Sequence, residues 1–476
     1  MRQRFDAQHT LGQVPIDEVK IPTKTRFQLA NLLESLQYIY SHPQWNRKIF
    51  TLLEEHIMGD KQDTGREGMS LWEIFVLGQV RHCLNTSYDQ LHFMANDSEL
   101  LRGILGVLPN DFSIGIQYEY QTIYDNVGLL DDQLMRELNN IIVEMGHQVF
   151  NKKEEVGLRL KTDSFVVETD VHYPTDYNLL WDSARKCIEE ARKLGLMGWR
   201  KHADWRRTLK RRMRRVGRSR KGGGANKAKR VGKAVRAYLK KARALEAKVK
   251  QAIATYGPDK TDQVDTEAWK DMQYYRKMLS THIDLVDRRL LDGEKIPHDD
   301  KIFSIFQPWT ELIIKGKSHP SIELGKNLAI TSDQYHLIVD WELADGRADS
   351  ELIEAIAERL GQRYEIQSLS TDRGFSGKSA KETLEAFIPE VIMPKKGRRS
   401  SAEAQAEAQP EFRALKKAHS AVESNINELE HRGLDRCPDR TLPGFKRYIG
   451  LAVTAYNLQK IGRTLRQRRR QQARAA

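Results

Sequence analysis

Apolar residues recur at helical spacing through most of the first 150 residues of the chain. This pattern predicts five helices, at 26–40, 70–84, 87–95, 98–105 and 131–149. Ser70, Ser87 and Ser98 stand where helix N-caps are expected. We therefore predict an all-helical N-terminal domain over 25–154, preceded by a flexible polar arm, 1–24. The close-set helices between 70 and 106 fit either a helix-turn-helix that reads DNA ends or a plain helical bundle.

The pattern changes at Leu158, where LRLKTDSFVVETDVHY has the β-branched enrichment of paired strands, with Asp163 between two extended runs. Further strand patterns occur in KIFSIF, TELIIKGK, LGKNLAIT and YHLIVDWEL. A helix, a strand ending before Asp372, a second helix and the strand EVIMPK follow. This order predicts an α/β fold with a ribonuclease-H-like mixed sheet flanked by helices, built from 155–182 and 298–462.

The segment between these two parts, 183–297, reads as an inserted basic helical hairpin with its tip at KGGGANK. From 200 to 250 there are 22 Lys or Arg residues against two acids, whereas the whole chain carries a net charge of only +13. Such concentration of one sign predicts contact with nucleic-acid phosphates. The candidate contact residues are Arg206, Arg207, Lys210, Arg211, Arg212, Arg214, Arg215, Arg218, Lys227, Lys229 and Arg230.

Three smaller features complete the organisation of the chain. Trp199 and Trp205, beside the densest charge, either stack on exposed bases or anchor a charged helix to its domain. A basic tail, 463–476, predicts a second nonspecific phosphate contact. The three cysteines show no zinc-site spacing, and no stretch resembles a signal peptide or a membrane span, which predicts a cytoplasmic protein without a membrane partner.

Three carboxylates stand where a metal-dependent DNA-cutting site would require them. Asp163 lies in a strand pattern, Asp372 follows a strand, and Glu423 lies on the edge of an apolar helix stripe. Such acids can hold two Mg²⁺ ions, which prefer carboxylate oxygens and can stabilise both the attacking and the leaving oxygen of a phosphodiester exchange. We predict all three as catalytic and metal-binding residues. The alternatives are an ordinary strand-end acid, turn acid and solvated helix acid at these three positions, or Asp170 in place of Asp163.

Several motifs resemble the DDE transposases of bacterial insertion sequences, in particular the ISNCY-like group. KTDSFVVETDVHYPTDYNLLWD is similar to the family's first aspartate block, and STDRGF to its second. HSAVESNINELEHRGLDRCPDR and FKRYIGLAVTAYNLQKIGR are similar to its glutamate block and closing helix. Relatives elsewhere in the superfamily carry Tyr, Arg and Lys around the glutamate, where this chain has Lys416, His419 and Glu430.

The resemblance implies a ribonuclease-H-like fold, Asp163, Asp372 and Glu423 as the catalytic triad, and magnesium-dependent cleavage and joining of DNA strands. Mn²⁺ is expected to substitute for the two Mg²⁺ ions. The implied partners are double-stranded DNA, as the terminal inverted repeats of the element and the target, and further copies of the chain in a synaptic complex. A bacterial, nucleoid-associated location follows. The alternatives are a hydrolysis-only DNA nuclease of the same fold and a non-catalytic DNA-binding regulator.

Overall fold

The computed structural model of the protein forms two compact units, Met1–Asp170 with Ile313–Ala476, and Val171–Leu312. The structure describes residues 3–4, 13–59, 68–108, 116–153, 156–196, 202–257, 266–297, 300–314, 322–395, 397–398 and 400–475, except the side chains of 202, 203, 266, 402, 403 and 406. Within these ranges no helix is long and apolar enough to cross a membrane.

Seven α-helices begin the first unit: α1 Leu29–Ser41, α2 Pro43–Leu53, α3 Leu71–Cys83, α4 Tyr88–Asp97, α5 Glu99–Leu105, α6 Tyr120–Val127 and α7 Asp132–Val149. The five helices predicted from periodicity are all present, with closely similar bounds. Ser70, Ser87 and Ser98 each accept a hydrogen bond from the backbone N–H three residues later, so the predicted N-caps are confirmed. The short helices α2 and α6 were not predicted. Residues 13–24 of the predicted arm include a turn of 3₁₀ helix and the buried Ile16, Val19 and Ile21.

The second unit contains four helices: α8 Asp176–Lys193, α9 His202–Lys221, α10 Lys227–Tyr256 and α11 Thr266–Leu290. Helices α9 and α10 are the two basic helices, and a short turn that includes the predicted glycines joins them. Their apolar faces are buried in a core of the unit's own, to which Leu209, Val216, Tyr238 and Leu279 contribute. The basic segment is therefore part of a folded helical unit, with its charges on the outer faces of amphipathic helices.

A seven-stranded mixed sheet is formed by β1 Leu158–Thr169, β2 Glu311–Ile314, β3 Ile322–Ser332, β4 Ile338–Leu343, β5 Ile366–Thr371, β6 Glu390–Ile392 and β7 Arg436–Cys437. Its order is β2-β3-β1-β5-β6, with β4 beside β3 and β7 beside β1. Strand β1 pairs antiparallel with β3 and parallel with β5. The predicted α/β class with a mixed sheet is confirmed.

Five helices accompany this sheet in the C-terminal part of the first unit. They are α12 Asp349–Gly361, α13 Lys378–Glu385, α14 Ser401–Ala408, α15 Pro410–Leu429 and α16 Leu442–Ala475. Helices α12 and α13 follow β4 and β5, as the alternation of patterns predicted. Residues from Tyr448 to Gln459 of α16 are all buried, so this helix runs through the core of the unit.

The N-terminal helices and the sheet share one hydrophobic core, which includes residues of α1, α3, α7, β1 and α16. Helices α1 and α16 approach each other most closely at Gly462, where a Cβ atom would lie 1.7 Å from the backbone oxygen of Asn31. Glycine removes the side chain that would otherwise keep the two backbones apart. This contact fixes the closing helix against the N-terminal helices.

Candidate active site and basic helices

Strands β1 and β5 bring the first two predicted carboxylates together. Asp163 lies in the middle of one continuous strand, which corrects the expectation that it separates two extended runs. The last parallel pair between β1 and β5 joins Thr162 to Thr371, so Asp163 and Asp372 occupy the next position on each chain. Neighbouring strands are about 4.8 Å apart, and laterally paired residues face the same side of a sheet. The register therefore places the two acids side by side.

Helix α15 brings the third carboxylate to the same place. Its residue His419 makes a hydrogen bond of 3.2 Å through Nδ1 with the Ser370 hydroxyl on β5. Glu423 is four residues further on and therefore lies on the same face of the helix. Burial lowers the pKa of His419, and the nearby charges of Asp372 and Glu423 act against that decrease. His419 thus fixes the helix against the sheet through a hydrogen bond.

A fourth carboxylate, Asp349, lies in this site and was missed by the sequence analysis. Its Oδ1 accepts a hydrogen bond of 3.0 Å from Asn327, and its Oδ2 accepts one of 3.4 Å from the Ser164 hydroxyl. A Cβ atom at Gly374 would lie 2.8 Å from Asp372 Oδ1 and 3.1 Å from Asp349 Oδ2, so the two carboxylates are neighbours. The sequence carried one signal that could have identified Asp349, namely its position at the start of a helix that follows a strand.

The pKa of Asp163 is raised to about 6 in these surroundings. Burial is the largest cause, a hydrogen bond from the Ser164 backbone N–H acts against it, and the charges of Asp372, Glu423 and Asp349 add to the increase. That N–H donates to Asp163 Oδ1 over 2.7 Å, and the backbone N–H of Gly374 donates to Asp372 Oδ1. Over the described part of the chain, Asp163, Asp372 and Glu423 form no ion pair with Lys, Arg or His. Within the described residues, the negative charges of these three acids are therefore not compensated by an ion pair.

The carboxylates of this cluster are suitable ligands for a divalent cation, although they do not form a complete coordination shell. Among the residues that the structure describes, no three His, Cys, Asp or Glu side chains are close enough together to hold a metal ion by themselves. Mg²⁺ usually keeps several water ligands and binds through one or two carboxylates together with substrate oxygens. A cation would stabilise the charged form of Asp163, which burial and its acidic neighbours disfavour. We accordingly regard the site as open to metal and substrate together.

Asp170, Asp340 and Asp176 have surroundings different from those of Asp163. Asp170 is exposed just beyond the end of β1, seven residues from Asp163 and thus roughly 23 Å along an extended chain. Asp340 is buried and paired with Arg359 at 2.5 Å. Asp176 is paired with Arg289 at 2.7 Å within the second unit. None of these three contributes to the shift in the pKa of Asp163.

The predicted phosphate-contacting residues lie on α9 and at the start of α10. Most are exposed, namely Arg206, Arg207, Lys210, Arg211, Arg214, Arg215, Arg218, Lys227, Lys229 and Arg230. Arg212 differs, because it is half-buried and donates a hydrogen bond of 2.7 Å to the backbone oxygen of Ala237. Arg212 therefore joins α9 to α10, which makes it the weakest of the candidates for contact with DNA.

The two tryptophans were predicted either to stack on bases or to anchor a charged helix. Trp205 is half-buried against the core of the second unit, with the Lys241 ammonium 3.2 Å from the centre of its ring. A lysine over the ring face and the partial burial agree with anchoring. Trp199 lies outside the described residues.

Comparison with known proteins identifies one family. Residues 288–458 match the family described as the transposase DDE domain, which is just over a third of the chain and includes Asp372 and Glu423. Asp163 lies before the matched segment. No curated protein and no solved structure gives a significant match. The resemblance to DDE transposases is thus confirmed, whereas assignment to the ISNCY-like group stays a prediction.

Proposed function

Because residues 288–458 match the transposase DDE domain, we propose that the protein is a DNA transposase that cleaves DNA and joins the released 3′ end to a target. Water breaks a phosphodiester bond and leaves a 3′-hydroxyl and a 5′-phosphate. The 3′-hydroxyl then attacks a target phosphate, and a new P–O bond forms as the target P–O bond breaks. The substrates would be the terminal inverted repeats of the element and a target duplex. Such a reaction would take place in the cytoplasm, at the nucleoid, with two or more copies holding two ends together.

The observation that carries this proposal is the convergence of Asp163, Asp372 and Glu423 from two adjacent strands and one helix. In the described residues these acids have no ion-pair partner, and their mutual repulsion contributes to the raised pKa of Asp163. A pure DNA-binding protein gains nothing from uncompensated carboxylates that would face a polyanion. The cluster therefore favours a metal-dependent enzyme over the alternative of a non-catalytic regulator.

Asp163, Asp372 and Glu423 would hold the divalent ions, with Mg²⁺ as the expected ion and Mn²⁺ as its substitute. The bound ions would activate the attacking hydroxyl and stabilise charge on the leaving oxygen. The surrounding residues keep the acids in position. The backbone N–H of Ser164 orients Asp163, and that of Gly374 orients Asp372. The bond between His419 and Ser370 holds α15, and with it Glu423, against the sheet.

The experiment that tests the function is cleavage and strand transfer on a labelled duplex that carries the end of the element encoding this chain. We expect nicked and joined products with Mg²⁺ or Mn²⁺, and neither product with EDTA. Glu423→Gln removes a charge but keeps the size of the side chain, so it should abolish both products while DNA binding persists.

Each outcome of this experiment separates the candidates. Nicked DNA without a joined product would support the hydrolysis-only nuclease of the same fold. Binding with no product under any metal condition would support the regulator. Full activity of Glu423→Gln would remove Glu423 from the proposed site.

The basic helices give a prediction about affinity. Arg211 and Arg215 are exposed and four residues apart on α9, so they lie on one face of the helix. If both contact phosphates, R211Q/R215Q should reduce the slope of log K against log salt by about 2, because each neutralised phosphate contributes about 0.9. Fluorescence anisotropy with one duplex over a series of salt concentrations measures the slope.

A matched variant controls for net charge. Lys270 and Lys277 are both exposed on α11 of the same unit, so K270Q/K277Q removes an equal charge elsewhere. We expect this control to keep nearly the slope of the unaltered protein. An unchanged slope in R211Q/R215Q would place the main phosphate contact outside α9.

A further inference from the structure

A strongly basic pocket lies in the first unit, in a part of the chain to which the proposed chemistry assigns no role. Its volume is about 620 Å³, and it is formed by the segment before α1 and the start of α1, by the end of α15 and the turn after it, and by the C-terminal half of α16. Six cations line it against one carboxylate, Glu428. These cations are Arg26, Arg432, Lys460, Arg463, Arg466 and Arg470. Such an excess of one sign in a concave site raises the local concentration of anions.

The single carboxylate compensates only part of this charge. Glu428 accepts hydrogen bonds from Lys460 at 2.8 Å and from Arg432 at 3.4 Å. Arg466 and Arg470 instead donate to the backbone oxygens of residues in the segment before α1. Within the described ranges the side chains of Arg26 and Arg463 make no hydrogen bond or ion pair. Four arginines of the pocket thus have no carboxylate partner in this part of the structure.

Two buried arginines of the pocket also retain unused donors. Residues Arg432 and Arg466 are only 8 % and 4 % exposed, and Arg432 Nη1 and Arg466 Nε are buried without a hydrogen-bond partner among the described atoms. A buried donor without a partner costs roughly 1–3 kcal/mol, so these two donors are available to water or to a bound group. Burial and the charge of Arg470 both lower the pKa of Arg466. Water would satisfy the donors, but only an anion would also offset the repulsion.

The chemistry of the lining indicates which anion fits. The planar guanidinium fork matches the oxygens of phosphate in pairs, and arginine is the preferred residue for such contacts. Glu428 is five residues after Glu423 on α15, so it lies about 7.5 Å further along the helix axis and is turned by about 140° around it. The pocket therefore lies beyond the candidate active site on another face of the same helix, and a DNA strand would have to extend over several nucleotides to reach both.

We propose that this pocket binds a backbone phosphate of the DNA strand a few nucleotides from the cleavage position, and so sets where the strand lies relative to Asp163, Asp372 and Glu423. This inference rests on the proposed function because it takes DNA as the ligand, but it concerns the binding of DNA and not its cleavage. It assigns a defined phosphate site to α16, in contrast to the nonspecific contact predicted for the tail 463–476. The contact positions the strand and carries no sequence information.

The test is an interference experiment on the full-length protein with a set of duplexes that carry the same element end. Each duplex has one phosphate replaced by an uncharged methylphosphonate, and affinity is measured by anisotropy in EDTA, so that no cleavage is needed. For the unaltered protein we expect about a ten-fold loss of affinity at one or two adjacent positions. The variant R26Q/R463Q removes two pocket charges that have no described internal partner. For this variant, a methylphosphonate at those positions should no longer reduce affinity, whereas its effect at other positions should remain.

A control and a second probe make the result decisive. Arg47 and Lys153 are exposed in the same unit and do not line the pocket, so R47Q/K153Q should keep the full interference pattern. An R26Q/R463Q pattern identical to that of the unaltered protein would overturn the proposal. The unaltered protein could instead bind inorganic phosphate saturably, and R26Q/R463Q could abolish that binding. If the interference pattern were unchanged at the same time, the pocket would be a site for a free anion and the proposal would be overturned. Binding and cleavage are measured separately. A positive interference result without any cleavage would therefore support the phosphate site and contradict the proposed function.

Discussion

Asp372→Asn is expected to abolish DNA cleavage and strand transfer while DNA binding remains close to that of the unaltered protein. Asn keeps the size of the side chain and an oxygen that can accept the hydrogen bond from the Gly374 N–H. It removes the negative charge that would hold a divalent ion. Because metal ions contribute several kcal/mol to such a reaction, we expect the rate to fall at least about a thousand-fold. Single-turnover cleavage with Mg²⁺, and with Mn²⁺, measures the loss.

Asp170→Asn provides the matched control for this prediction. Asp170 is exposed just beyond the end of β1 and does not contribute to the pKa shift of Asp163. Asp170 was also the alternative to Asp163 as the first catalytic acid predicted from the sequence. The same variant therefore tests which of these two acids is catalytic. We expect Asp170→Asn to cleave at the normal rate and Asp163→Asn to resemble Asp372→Asn. The opposite ranking would transfer the catalytic role to Asp170.

A second readout does not depend on activity. Removal of a carboxylate from the cluster should weaken the increase in thermal stability that millimolar Mn²⁺ gives the protein, because a ligand that binds only the folded state stabilises it. We expect Asp372→Asn to show a smaller shift in Tm than Asp170→Asn. Equal shifts in the two variants would place the bound metal away from Asp372.

Gly462→Ala is expected to destabilise the first unit strongly. The new Cβ would lie 1.7 Å from the backbone oxygen of Asn31, and neither helix backbone can move aside as a flexible side chain would. Such overpacking costs about 3 kcal/mol or more, whereas the helix preference of alanine over glycine returns about 1 kcal/mol. The net loss of about 2 kcal/mol or more should lower Tm by roughly 3 °C or more in a unit of this size. Thermal and urea unfolding, followed by circular dichroism, measure it.

Gly361→Ala is the control for the helix preference alone. Gly361 is the last residue of α12 in the same unit, its backbone does not adopt a positive φ, and the nearest atom to its Cβ would be a carbon of the Phe387 ring at 3.6 Å. This variant should be neutral or slightly stabilised. Equal stability of Gly462→Ala and Gly361→Ala would contradict the close contact between α1 and α16.

The sequence alone determined those features that depend on neighbours along the chain. Apolar periodicity placed α1, α3, α4, α5 and α7, and short polar side chains marked three of their N-caps. The same local signals missed α2 and α6, which are short. Alternation of strand and helix patterns was sufficient for the mixed α/β sheet. The concentration of basic residues identified α9 and α10 as the charged helices.

Only the tertiary structure decided which distant residues meet. The register of β1 against β5 sets Asp163 beside Asp372, and it depends on the pairing of strands that are more than 200 residues apart in the chain. Asp349 joins them through hydrogen bonds to Asn327 and Ser164, which no spacing reveals.

The basic pocket likewise depends on the packing of α16 against α1, which brings Arg463 and Arg466 next to Arg26. The physical reason is general. Secondary structure follows from local preferences, whereas burial, uncompensated charge and a shared pocket follow from contacts that exist only after the chain has folded.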